Sequence, residues 1–123
     1  MYKAAAALKT FFSGFGLPAY AENTVPDDAE LPYITFPQRE PEWNRQMTYW
    51  CIVYYRHQTS NLDCLQKADE IVRAIGNGIR LPIDGGVVVL WPETPLVQAM
   101  APDEDVRSAY INLSINAYHL PGY

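Results

Sequence analysis

The sequence predicts an α+β fold, a mainly antiparallel β-sheet with two α-helices packed on one face, on three observations. The first is Met47 to His57, M-T-Y-W-C-I-V-Y-Y-R-H, in which no Gly, Pro, Asn or Asp interrupts a run of mostly β-branched and aromatic residues. That composition suits a pleated, largely covered strand. The second is Val106 to His119, where Ile111, Leu113, Ile115 and Ala117 alternate with Tyr110, Asn112, Ser114, Asn116 and Tyr118, the period of a strand half buried and half polar. The third is a pair of stretches with helical period, each closed by glycines.

Near the N-terminus, Ala4, Ala5, Leu8, Phe11, Phe12 and Phe15 fall in one helical arc, with Lys3, Lys9, Thr10 and Ser13 opposite. This predicts a helix from about residue 2 to Phe15, ended by Gly14 or Gly16. Met1-Tyr2-Lys3, the apolar run and Ala19-Tyr20-Ala21 together resemble a secretory leader. Lys9 inside the run and the early breaks at Gly14, Gly16 and Pro18 argue instead for a helix that packs on a sheet. No stretch approaches the length of a membrane span. Residues 17 to 31, with Pro18, Pro26 and several acids, read as a long polar loop, and Pro32-Tyr33-Ile34-Thr35-Phe36-Pro37 as a short edge strand bracketed by prolines.

Residues 38 to 46 read as a connection into the central strand, whose two faces are Met47, Tyr49, Cys51, Val53, Tyr55 and Thr48, Trp50, Ile52, Tyr54. Neither face is plainly polar, so the strand requires cover on both sides, by helices on one and by something else, such as a second subunit, on the other. Ser60 and Asp63 have capping-box spacing. The helix they open collects Leu65, Ala68, Ile71, Val72 and Ile75 on one arc and stops at Gly76-Asn77-Gly78. Asp84-Gly85 joins Arg80 to Ile83 and Gly86 to Trp91 as a tight hairpin. Pro92 and Pro95 are expected to end that strand, leaving Leu96 to Pro102 as a short extra strand or a loop arm. The final strand, at about 45 Å, is expected to outrun its own domain.

The chain has 123 residues, a net charge of -5 and two cysteines, which predicts one domain over residues 1 to 123 that needs no disulfide staples. The acidic balance opposes tight, direct nucleic-acid or anionic-membrane binding. Eight of the fourteen acids lie in two stretches that contain no Lys or Arg: Glu22, Asp27, Asp28 and Glu30, and Glu93, Asp103, Glu104 and Asp105. They form either solvated loops or a ring of negative charge facing a basic partner or a passing polyanion.

Catalytic and metal-binding constellations are weak. Cys51, Cys64, His57 and His119 lack any zinc-type spacing, and both cysteines read as core residues. A Cys51–Cys64 disulfide requires Cα atoms within about 7 Å. There is no G-x-S-x-G, and both Gly-x-Gly pairs close helices instead of opening them. No catalytic residue, metal or cofactor is expected. What stands out is the nine Tyr and three Trp. Those on strands serve either cross-strand packing or a protein interface, where Tyr and Trp combine apolar area with a polar tip.

The order of these elements resembles the tail terminator, or tail-completion, proteins of long-tailed bacteriophages over nearly the whole chain. The likeness consists of the N-terminal helix, the loop ending in Leu31-Pro32-Tyr33-Ile34-Thr35-Phe36, the strand over Thr48 to Arg56, the Ser60-capped helix, the Val87 to Trp91 strand and the long last strand. It implies a homo-oligomeric ring, usually of six subunits, on the end of the tail tube. Such a ring stops tube polymerisation and joins the tube to the neck. It also implies assembly in the host cytoplasm, residence in the virion tail, and a tube protein and a neck or head-completion protein as partners, with DNA only passing through the bore. A neck or head-closure adaptor shares these features, and a small enzyme or ligand-binding domain is the third class. The family carries no short signature, so the expected interface residues come from the strand reading: Tyr33, Phe36, Trp43, Trp50, Tyr54, Tyr110, Asn112 and Tyr118. The acids expected to line a bore or meet a partner are Asp27, Asp28, Asp103, Glu104 and Asp105.

Overall fold

The computed structural model describes residues 2–56, 62–100 and 106–119. His57, Ser60 and the acids at 103 to 105 therefore lie outside the described residues. Helix α1 (Tyr2–Phe12) runs into a 3-10 turn (Ser13–Phe15), and β1 (Ala19–Ala21) and β2 (Tyr33–Phe36) precede the long β3 (Met47–Arg56). Helix α2 (Leu62–Ile75), β4 (Ile79–Ile83), β5 (Gly86–Ala99) and β6 (Val106–His119) complete the order. The sheet is six-stranded, β1-β2-β3-β6-β5-β4, curled, and antiparallel except for the β1–β2 pair. This is the expected α+β fold.

The two long strands form its centre, with Cys51 opposite Ile111 and Met47 opposite Ile115. Because side chains alternate along each strand, one register fixes both faces. Tyr49, Cys51, Val53, Ile111, Leu113, Ile115 and Ala117 turn inward and are buried to within 1% of complete. They meet Ala4, Leu8 and Phe12 of α1 and Cys64, Ala68, Ile71 and Ile75 of α2 in one apolar cluster, so both helices cover the same face. The curl carries the sheet around α1, which touches both edge strands, β1 and β4.

Polar side chains tie off the helix ends. Gly16, at φ 80°, takes the left-handed conformation that closes the first helical segment. Lys67 Nζ donates to the Phe15 carbonyl at 2.8 Å, which places a cation where the orphan carbonyls of that segment collect. At the other end, Glu40 accepts from the Ala5 amide, and its burial raises its carboxyl above the usual carboxylate range. The connection from 37 to 46 thus anchors both α1 and the core. Its Trp43 bridges to Ala117, stacks on His119 with ring centroids 3.7 Å apart, and lies over Gly86. A Cβ on Gly86 would sit 2.5 Å from that ring and 2.2 Å from the Tyr118 carbonyl, so only glycine fits.

Several expectations are corrected. The 17 to 31 loop contains a strand: Ala19, Tyr20 and Ala21 pair in parallel with Ile34, Thr35 and Phe36. The Pro-bracketed β2 is therefore internal, and its prolines do no harm because both lie just outside its ladder. Pro92 and Pro95 do not end β5. The ladder with β6 breaks between Pro92 and Val97 and resumes through Val97, Gln98 and Ala99. The intervening irregularity lets a strand absorb residues that cannot pair. Finally, β6 does not outrun the domain, since β3 flanks it from Val106 to Ile115 and β5 flanks it out to His119. The open edge belongs to β5, which β4 accompanies only as far as Leu90.

Candidate interaction surface

The outward residues of the same strands make the surface. Register aligns Tyr20, Thr35, Ile52, Tyr110 and Gln98 in one row across β1, β2, β3, β6 and β5. A neighbouring row pairs Tyr33 with Tyr54 and Tyr54 with Ser108. Trp50 sits opposite Asn112 on the other side of the first row. Ring centroids are 5.7 Å apart for Tyr20–Tyr33, 5.2 Å for Tyr33–Tyr54 and 6.2 Å for Trp50–Tyr110, the last pair stacked. These are distances at which aromatic rings attract one another beyond their burial. The rings are half-buried, and small polar residues lie under them: Thr35 is 5% exposed and Ser108 9%.

Polar groups hold the rings in place. Trp50 Nε1 donates to Glu22 Oε1 at 2.8 Å, which ties the end of β1 to β3. Burial, followed by the neighbouring Tyr54 and Tyr20, pushes the Tyr33 phenol above its ordinary value. Tyr110 is raised by burial and then by Glu22 and Cys51. Both stay neutral hydroxyls through the physiological range, so the patch keeps its donors without adding charge. Two recesses flank it, one of about 470 Å³ beside Glu22, Arg39 and Trp50, the other of about 270 Å³ between Gln98, Met100 and Tyr110.

Of the residues expected at an interface, Tyr33, Tyr54, Trp50 and Tyr110 come together. Phe36 does not belong with them. It faces inward, is 1% exposed and stacks on Phe12 with centroids 5.5 Å apart. Its strand parity is that of Ile34, which the expectation overlooked. Trp43 is also engaged within the chain, closing the end of the core against Gly86 and His119. Tyr118 is 39% exposed but stands eight residues along β6 from Tyr110, roughly 27 Å away. Asn112 donates its amide to the Pro95 carbonyl and, at 3.4 Å, to Gln98. Asp27 and Asp28 are exposed in a turn closed by Ala29 N to Pro26 O. Asp103, Glu104 and Asp105 lie outside the described residues.

Tyr20, Ile52 and Glu22 are the members sequence reasoning missed. A three-residue strand shows no period, and the pairing of Tyr20 with Thr35 is visible only once β1 is placed.

Both cysteine thiols lie in the core. Cys51 is completely buried and its thiol pushed well up by that burial. Cys64 is buried and its thiol also raised, chiefly by desolvation. They are not joined in a disulfide. Cys51 pairs with Ile111, eight residues along β6 from His119, so His119 stands about 27 Å from it. Among the described residues, no three His, Cys, Asp or Glu gather as metal ligands, and no helix is long and apolar enough to cross a membrane. The chain matches no protein-family model and no curated protein.

Proposed function

We propose that this protein is a structural assembly component that works as a ring of identical subunits capping a phage tail tube, as the resemblance of its element order to tail terminators implies. The single observation that carries the reading is the outer aromatic patch. Tyr20, Tyr33, Ile52, Tyr54, Trp50 and Tyr110 lie side by side in register across four strands, half-buried and uncovered by either helix. Rings with polar tips, set close together on a rigid sheet, are the kind of group that carries most of the energy in protein interfaces.

The proposed mechanism is geometric. A patch on one face of each subunit that meets a different surface of the next gives a heterologous contact, and such contacts close into a ring when the rotation per step divides a circle. One face of the closed ring then occupies the growing tube end and denies it to further tube subunits. The acids Asp27, Asp28, Asp103, Glu104 and Asp105 would keep DNA from adhering to the bore, since phosphate contacts dominate DNA affinity. Changing Asp103, Glu104 and Asp105 together to Lys should slow DNA passage without stopping ring formation. Unaltered passage removes the lining role.

Native mass across protein concentration and Mg²⁺ is the test. Six copies of 13.9 kDa give a ring of about 83 kDa, and tails assembled without the protein should have tubes of uncontrolled length. A chain that stays monomeric at every concentration and does not co-sediment with tubes overturns the reading. Co-sedimentation with a head-completion protein and not with tubes would assign it to the neck.

A further inference from the structure

Where β5 leaves its ladder between Pro92 and Val97, the outer face opens into a recess of about 300 Å³ lined by Gln46, Thr48, Glu93, Thr94, Asn112, Leu113 and Ser114. Glu93 is its one ionisable residue. That carboxylate is held through a single oxygen: Oε1 accepts from Ser114 Oγ at 2.7 Å and from Trp91 Nε1 at 3.1 Å. Oε2 takes no hydrogen bond among the described residues.

The side-chain amides and the serine hydroxyl around the recess already have partners. The Ser114 hydroxyl goes to Glu93, Gln46 Nε2 reaches Ser114 Oγ at 3.5 Å, and Asn112 Nδ2 donates to the Pro95 carbonyl and to Gln98 Oε1. Two oxygens around Asn112 Nδ2 also fix which way that amide points. What remains unused are the acceptors Glu93 Oε2, Asn112 Oδ1 and Gln46 Oε1, together with the hydroxyls of Thr48 and Thr94, which can accept as well as donate. An anion would be repelled here, and an apolar group would leave those acceptors dry and unpaired. A cation with several N–H bonds satisfies them with charge-assisted hydrogen bonds.

We propose that this recess is a receptor for a guanidinium or ammonium group. The chemistry has two sources, a basic side chain of a second copy of this chain and a free guanidine or polyamine. Arg39, Arg56 and Arg80 are exposed and make no ion pair among the described residues, so a second copy has arginines to offer. The site does not depend on the ring reading, because a small cation reports it without assembly.

The test is an amide NMR titration of the ¹⁵N-labelled full chain with ethylguanidinium chloride at low ionic strength, with neutral ethylurea as the control. Saturable shifts should appear at Gln46, Thr48 and the Asn112 side-chain amide, and should weaken with added salt. Glu93→Gln retains an oxygen to accept from Trp91 and Ser114, so it should melt like the parent while binding at least about tenfold more weakly. Absence of saturable shifts at these residues, equal affinity in Glu93→Gln, or equal binding of ethylurea overturns the proposal. Self-association measured with and without ethylguanidinium separates the sources. Dissociation by the cation, matched by Glu93→Gln, assigns the group to a neighbouring copy. Cation binding that leaves self-association unchanged assigns the recess to a free ligand. Failure of self-association altogether would count against the ring alone, since the titration still reads the recess.

Discussion

The two faces of the central β3–β6 pair are built from alternate residues of the same strands, yet they solve different problems. On the inner face, Cys51, Val53, Ile111, Leu113 and Ile115 are fully buried and aliphatic or small, and their energetic worth is apolar area removed from water. On the outer face, Trp50, Ile52, Tyr54 and Tyr110 are only half-buried, and their polar tips remain to be used. A sheet covered once needs one such face for stability. The second face, wide, aromatic and half-exposed, removes less area from water on folding and is the one we propose for association.

The largest expected effect tests the inner half of that contrast. Ile111 pairs with Cys51 on one side and Val97 on the other, with no exposed surface. Ile111→Ala leaves a cavity in a close-packed core and should cost about 3 kcal/mol in urea unfolding, within the usual range for such truncations. Self-association per folded molecule should not change. Trp50→Ala on the outer face should do the reverse. It loses a half-exposed ring and the bond to Glu22, costing about 1 kcal/mol of stability, but should weaken subunit association roughly thirtyfold if the ring is an anchor. Equal destabilisation by the two variants would erase the distinction between the faces.

A second contrast is in alkali. Tyr49, on the inner face, is 1% exposed, and burial drives its phenol far above its ordinary value, with Cys51, Glu40 and Glu22 adding to the rise. A phenol raised by folding stabilises the native state fully below its unfolded pKa near 10, and that contribution is lost as pH climbs from there toward the folded value. The loss should approach about 1.4 kcal/mol per pH unit from Tyr49 alone. Tyr49→Phe should flatten the alkaline limb of the stability profile by that slope, whereas Tyr110→Phe on the outer face should flatten it much less. A profile that Tyr49→Phe leaves unchanged would mean the phenol is not sealed in.

How much of this was legible depended on whether the signal was local. Periods of two and 3.6 located the inward sets of β6, α1 and α2 almost residue for residue, because burial on one face forces the pattern. The Asp84-Gly85 turn and the glycine stops were local too. Three features were not. β1 is too short for a period and exists because β2 offers it an edge. β5 runs through two prolines because residues 93 to 96 leave the ladder, which resumes at Val97 in a shifted register. Phe36 and Trp43 looked like partner anchors because an aromatic side chain suits an interface as well as a core, and only strand parity and the bare Cα of Gly86 distinguish the two. Glu93, flanked by prolines, read as part of an acidic loop until the ladder break placed it beside Ser114.

The smallest prediction bears on the boundary between the faces. Thr35 lies in the outer row between Tyr20 and Ile52, only 5% exposed, and its Oγ1 is buried without a hydrogen-bond partner among the described residues. An unmet buried hydroxyl costs stability, and valine keeps the β-branched shape without the demand. Thr35→Val should therefore raise the stability of the isolated subunit by about 1 kcal/mol. Stability and association together make the result decisive. A gain in stability with unchanged association places Thr35 with the core, as a polar residue sealed under Tyr20 and its neighbours. A gain in the subunit paired with weaker association means the hydroxyl is answered only when another chain lies on the patch, and the line between the two faces then runs beneath Thr35 and not above it.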